Sequence, residues 1–118
     1  MKVYIAGPMR GIPLYNFPAF DAAEERLRLA GYTPINPAQL DRDVGVNETT
    51  DPLPPNFLRD AMRRDLGAIC DCSHIAILPG WKNSKGVAVE FALARLLGLT
   101  ILDAITLETK TYEELCEI

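Results

Sequence analysis

The chain has 118 residues, 48% of them apolar, and carries 12 basic against 16 acidic side chains, a net charge of −4. That length suits one domain, residues 1–118, with a core that needs no disulfide or metal staple. The acidic balance argues against a nucleic-acid polymer as partner, and no run of about 18 apolar residues offers a membrane span.

Val3 to Ala6 is a short apolar run closed by Gly7-Pro8, the pattern of a parallel strand covered on both faces. It is too short and too soon broken to read as a secretory signal. Asn16 offers an N-cap with Pro18 in the first turn, and Phe17, Phe20, Ala23, Leu27 and Ala30 recur at helical spacing until Gly31 stops them. Tyr32 to Ile35 predicts a second strand. From Asn36 to Asn56 the periodicity fails among Pro37, Pro52, Pro54 and Pro55 and several charges. This predicts a long irregular loop: a surface excursion, a lid or a subunit contact.

Phe57 to Ile69 is helical again, with Leu58, Ala61, Met62, Leu66 and Ile69 on one side. His74 to Leu78 predicts a third strand. Ser84 to Leu97 predicts a third helix, apolar around most of its circumference and so expected to lie deep in the protein. Leu99 to Leu102 predicts a fourth strand, and Thr111 to Cys116 a short helix or edge element. Cys70, Cys72 and Cys116 do not have the spacing of a zinc knuckle or redox pair, and there is one His. Unpaired thiols fit a reducing, cytoplasmic setting, and no metal site is expected.

Strands alternating with helices imply an α/β fold of three layers, flavodoxin- or Rossmann-like, with a short parallel sheet ordered 2-1-3-4. Ligands of such sheets bind outside the carboxyl ends of the strands, where the winding reverses. The loops Gly7 to Tyr15 and Pro79 to Asn83 and the start of the third helix meet there.

Glu90 is the most informative residue. It sits mid-helix among Gly86, Val87, Leu93 and Ala94, with no basic neighbour one turn away. A buried carboxylate costs several kcal/mol unless paired, and burial raises its pKa toward acid, base or nucleophile roles. Arg10 or Tyr4 could hold it for architecture alone. Ser84-Lys85-Gly86 opens the same helix as an anion site or as an ordinary Ser cap. Gly7-Pro8-Met9-Arg10-Gly11 is neither a dinucleotide fingerprint nor a P-loop, but a small turn presenting an Arg to a phosphate or carboxylate. Asp65 reads either as a site residue or as part of a solvated charged face. His74 reads as structural, and Trp81 and Tyr15 as rim aromatics that stack on a base or pack a loop.

These residues together resemble the nucleoside 2-deoxyribosyltransferase-like superfamily, above all its small phage and bacterial branch described as a domain of unknown function. Tyr4-Ile5-Ala6-Gly7-Pro8 is similar to that superfamily's Y-x-A-G-P start. Met9-Arg10-Gly11 is similar to the S-I-R-G turn of the 2′-deoxynucleoside 5′-phosphate N-hydrolases. Ser84-Lys85-Gly86-Val87-Ala88-Val89-Glu90 resembles their S-x-G-V-x-x-E element, and Asp65-Leu66 their D-L pair. The resemblance implies Glu90 as nucleophile, Tyr4 as the tyrosine that orients it, and Asp65 as the residue that handles the leaving base. It implies Arg10 and Ser84 at a 5′-phosphate, and Gly7 and Gly86 where backbone approaches the sugar. Pro8, Gly11, Asn83 and Trp81 complete the expected substrate-binding set.

The implied activity is cleavage of the N-glycosidic bond of a (2′-deoxy)nucleoside 5′-monophosphate or nucleoside through a glutamate-linked glycosyl intermediate, by hydrolysis or base exchange, without cofactor. The D-x-G-T of the transferases is replaced by Asn83-Ser84-Lys85-Gly86-Val87, which leans toward phosphate-bearing substrates. The alternatives are a non-catalytic nucleotide sensor and an NAD-type glycohydrolase. The superfamily's habit, together with the apolar third helix, predicts a homodimer or higher homo-oligomer.

Overall fold

Strand-forming runs at four places build one sheet: β1 (Lys2–Ala6), β2 (Thr33–Ile35), β3 (His74–Ile77) and β4 (Thr100–Asp103). The strands pair in parallel in the order β2-β1-β3-β4, as the alternation with helices predicts. The computed structural model describes residues 1–47, 53 and 55–117. The helices are α1 (Phe17–Leu29), α2 (Pro37–Asp43), α3 (Phe57–Cys70), α4 (Lys85–Leu97) and α5 (Tyr112–Cys116). The fold is a three-layer, Rossmann-like α/β arrangement. Among the described residues, no helix is long and apolar enough to cross a membrane.

β1 and β3 are the interior strands, and each feeds both layers by the two-residue alternation of strand side chains. Val3, Ile5, Ala76 and Leu78 cluster with Phe17, Phe20, Ala23 and Leu27 of α1. Tyr4, Ala6, Ile75 and Ile77 cluster with Ile69 of α3, with Val87, Phe91 and Ala94 of α4, and with Leu115 of α5. Full burial of each large apolar side chain contributes about 1.5–3 kcal/mol. This parity aims the Tyr4 side chain toward α3 and α4.

Several local expectations change. Asn16 does precede α1, but its side chain does not cap the helix: it takes a left-handed φ of +60°, and its Nδ2 donates to the Pro8 carbonyl at 2.9 Å. Leu14 and Tyr15 are left-handed as well, so Pro13–Asn16 forms a tight turn beside β1's end. α1 stops at Leu29, leaving Ala30 as an exposed cap, and Gly31 (φ +92°) turns the chain away.

The expected loop from Asn36 to Asn56 contains α2. Asn36 accepts from the Ala38 N–H at 2.9 Å and Pro37 occupies the first turn, the preferred residues at both positions. Arg42 then clamps α2 to α1 through both oxygens of Asp21, at 3.0 and 2.7 Å. The rest of that expected loop, at residues 48–52 and 54, lies outside the described residues.

α4 is not deeply enclosed. It buries one stripe, Val87, Glu90, Phe91 and Ala94, while Val89, Leu96 and Leu97 stand 50%, 82% and 47% exposed. Its apolar circumference is a composition, not a measure of burial. The three thiols are unbridged.

Candidate active site

At the carboxyl ends of β1 and β3, a cavity of about 660 Å³ opens between the loop after β1, α2, α3 and the start of α4. Its size is that of a small-molecule site. Glu90 and Asp65 line it, each 7% exposed, with Tyr4 and Asp41 beside them.

The Tyr4 hydroxyl donates to Glu90 Oε2 at 2.6 Å across 86 residues of sequence. β1 supplies the tyrosine by side-chain parity, and α4 supplies the glutamate from its one buried stripe. No described buried side-chain oxygen or nitrogen lacks a hydrogen-bond partner. Glu90 Oε1 has no protein partner among the described residues, so it keeps contact with the cavity space. One carboxylate oxygen is anchored and the other faces whatever the cavity holds.

Burial pushes the Glu90 carboxyl up to about 8, against the opposing hydrogen bond from Tyr4; the nearby Asp65 charge adds to the rise. Tyr4 is itself pushed well above the usual phenol range, first by burial and then by the Glu90 charge, so it remains a donor. Asp65 is raised by burial, which outweighs the pull of the Arg64 guanidinium.

Arg64 joins two helices at this site. Its Nε donates to Asp65 Oδ1 at 2.8 Å and its terminal nitrogen to Asp41 Oδ1 at 2.8 Å. Burial disfavours the Arg64 charge, but the two carboxylates outweigh it and raise the guanidinium pKa further. Asp41 is almost wholly enclosed, and burial raises its pKa despite the ion pair.

The expected residues gather unevenly. Tyr4, Asp65, Glu90, Gly7, Pro8, Arg10, Gly11, Asn83, Ser84 and Gly86 all line the cavity. Ser84 Oγ accepts from the Val87 N–H at 3.2 Å, so the ordinary Ser cap is made. Gly7 has a packing reason to lack a side chain, because a Cβ there would stand 2.8 Å from Leu78 Cβ. At Gly86 a Cβ would meet only ordinary contacts, the nearest 3.8 Å away at Ser84 Oγ, so packing does not demand glycine.

Trp81 does not line the cavity. Its ring lies edge-on to Phe91 at 5.2 Å and near Tyr112, which makes it a packing residue between α4 and α5. His74, at the start of β3, does not line the cavity; it meets the Tyr32 ring at 5.4 Å and the Ser73 hydroxyl at 2.7 Å.

Sequence reasoning missed Asp41 and did not give Arg64 a place in the site. The available signal was Asn36-Pro37, a helix start that would have set Asp41 on α2 facing inward. Among the described residues, no group of three or more His, Cys, Asp or Glu side chains is placed to hold a metal ion.

The model of the family described as "Domain of unknown function (DUF4406)" matches residues 1–103. That range runs from the N-terminus to the end of β4 and includes every cavity-lining residue discussed above. No curated protein matches the chain.

Proposed function

The chain belongs to the DUF4406 family, and we propose that it is an N-glycosidase acting on a nucleoside or its 5′-phosphate. The observation that carries this reading is the buried Glu90 with Oε2 tied to Tyr4 and Oε1 turned to the cavity. The similarity of Tyr4 to Pro8 and of Ser84 to Glu90 to the deoxyribosyltransferase-like motifs supports it.

In this mechanism Glu90 Oε1 attacks C1′ of the sugar and forms a glycosyl ester while the C1′–N bond breaks. The bonding pair leaves with the base, and Asp65 supplies the proton the base takes up. Water then attacks C1′ and frees Glu90, returning a proton to Asp65. Two displacements give net retention. A free base in place of water would give exchange instead. Arg10 and the N–H groups opening α4 are available to a 5′-phosphate.

The test is chromatographic: each deoxy- and ribonucleoside and its 5′-monophosphate, with and without an added base, beside Glu90→Gln. Release of base by wild type, reduced by about a thousandfold or more in Glu90→Gln, is expected. Full turnover by Glu90→Gln overturns the mechanism. Tight nucleotide binding with no release replaces it with a sensor.

The pH dependence is a second check. The wild-type kcat/KM profile is bell-shaped, its limbs belonging to the coupled Glu90–Asp65 pair. In Asp65→Asn, the residual rate rises with pH as Glu90 ionises, at or below the wild-type value of about 8 because a neighbouring negative charge is gone. A residual rate that falls with pH would make Glu90 a proton donor rather than the nucleophile.

A further inference from the structure

The chain has eight arginines. Arg26 donates to the Ala104 carbonyl, Arg28, Arg42, Arg63 and Arg64 pair with carboxylates, and Arg95 lies over the Tyr112 ring. Arg10 and Arg59 have no such partner among the described residues. Both line one open cavity of about 800 Å³. They come from different elements, Arg10 from the loop after β1 and Arg59 from the first turn of α3, so no local repeat brings them together.

This outer cavity is continuous with the one that Glu90 faces, sharing Arg10, Tyr15, Phe57 and Met62 with it. The two ends differ in charge. Asp41, Asp65 and Glu90 line the inner cavity, whereas no carboxylate among the described residues lines the outer one. A protein of net charge −4 repels a polyanion at long range, so a local cationic wall is what admits one. A guanidinium presents forked donors that match phosphate oxygens two at a time. A single 5′-phosphate beside α4 would occupy one of these guanidinium groups. Arg59, farther along the cleft and with no carboxylate partner among the described residues, fits a second phosphate.

We propose that Arg59, with Arg10 where the two cavities join and able to bridge the first phosphate to the next, forms a subsite for the distal phosphates of a nucleoside di- or triphosphate whose sugar reaches Glu90. The placement of the sugar rests on the N-glycosidase reading; the anion subsite does not.

The test is therefore made first by binding. Pyrophosphate and tripolyphosphate are titrated calorimetrically against orthophosphate at constant ionic strength. The proteins are wild type, Arg59→Gln, Arg10→Gln and, as a control of equal charge change, Arg63→Gln, whose guanidinium pairs with Asp60 at 3.3 Å. Wild type binds the longer anions about tenfold or more tighter than orthophosphate. Arg59→Gln and Arg10→Gln each remove that preference, and Arg63→Gln keeps it. Equal binding of all three anions by wild type overturns the subsite, and so does a loss in Arg63→Gln as large as in Arg59→Gln.

Base release from nucleoside mono-, di- and triphosphates then tests the substrate. A kcat/KM advantage of the longer phosphates that vanishes in Arg59→Gln supports the assignment. An advantage that survives in Arg59→Gln overturns it. Anion binding with no base release from any nucleotide leaves the subsite standing and removes the N-glycosidase reading alone.

Discussion

Glu90 is an acid whose proton the fold holds to a higher pH than usual, and this has a cost that can be measured. Its carboxyl titrates at about 8 in the folded chain against an ordinary 4.5. Between those values the unfolded chain has lost the proton and the folded chain retains it. Stability therefore falls as pH rises through this window and is least above it. Glu90→Gln keeps an oxygen for Tyr4 and removes the titration. In urea unfolding, the variant gains little over wild type near pH 5, and its advantage grows to a few kcal/mol near pH 8. A difference that does not change with pH would mean that Glu90 titrates normally. The residue was legible in the sequence because nothing basic lies a helical turn away. Its partner was open between Tyr4 and Arg10; the structure gives Tyr4, which strand parity sends to the α4 side of the sheet.

At the scale of elements, the four strands and three long helices announce themselves by apolar runs and helical spacing. α2 did not, because proline density outweighed a helix start that uses Pro37 in the one place a helix welcomes it. Missing α2 meant missing Asp41, and with it the ion pair that ties α2 to α3. Arg64 spans that junction, between two carboxylates that are nearly enclosed. Arg64→Met leaves both buried without compensation and costs about 3 kcal/mol or more at neutral pH. The loss shrinks in acid, where Asp41 and Asp65 take up protons, and denaturant midpoints at about pH 7 and pH 4 display the difference. Trp81 was open in the sequence between stacking on a base and packing, and its ring packs against Phe91 and Tyr112, off the cavity.

For the whole molecule, the sheet order was readable because alternation and crossover rules leave few topologies, and that order alone locates the cleft. Assembly is less legible. α4 turns Val89, Leu96 and Leu97 outward, which a lone copy of this chain leaves in water. Self-association through this face is the expectation, with a second copy as occupant. Light scattering at micromolar concentration gives a dimer or larger, and Leu96→Glu shifts it to monomer. A monomeric wild type removes the expectation.

The Tyr4–Glu90 contact joins residues 86 positions apart. During synthesis Tyr4 emerges 86 residues ahead of Glu90, so its hydroxyl has no Glu90 to meet until α4 is being made. β1 likewise waits for β3 before it becomes an interior strand. Contacts of such long sequence separation form late, after the loop entropy of the intervening chain has been overcome. The contact therefore marks completion: a chain cut short before α4 has an unanswered phenol and lacks the α4 wall of the cleft.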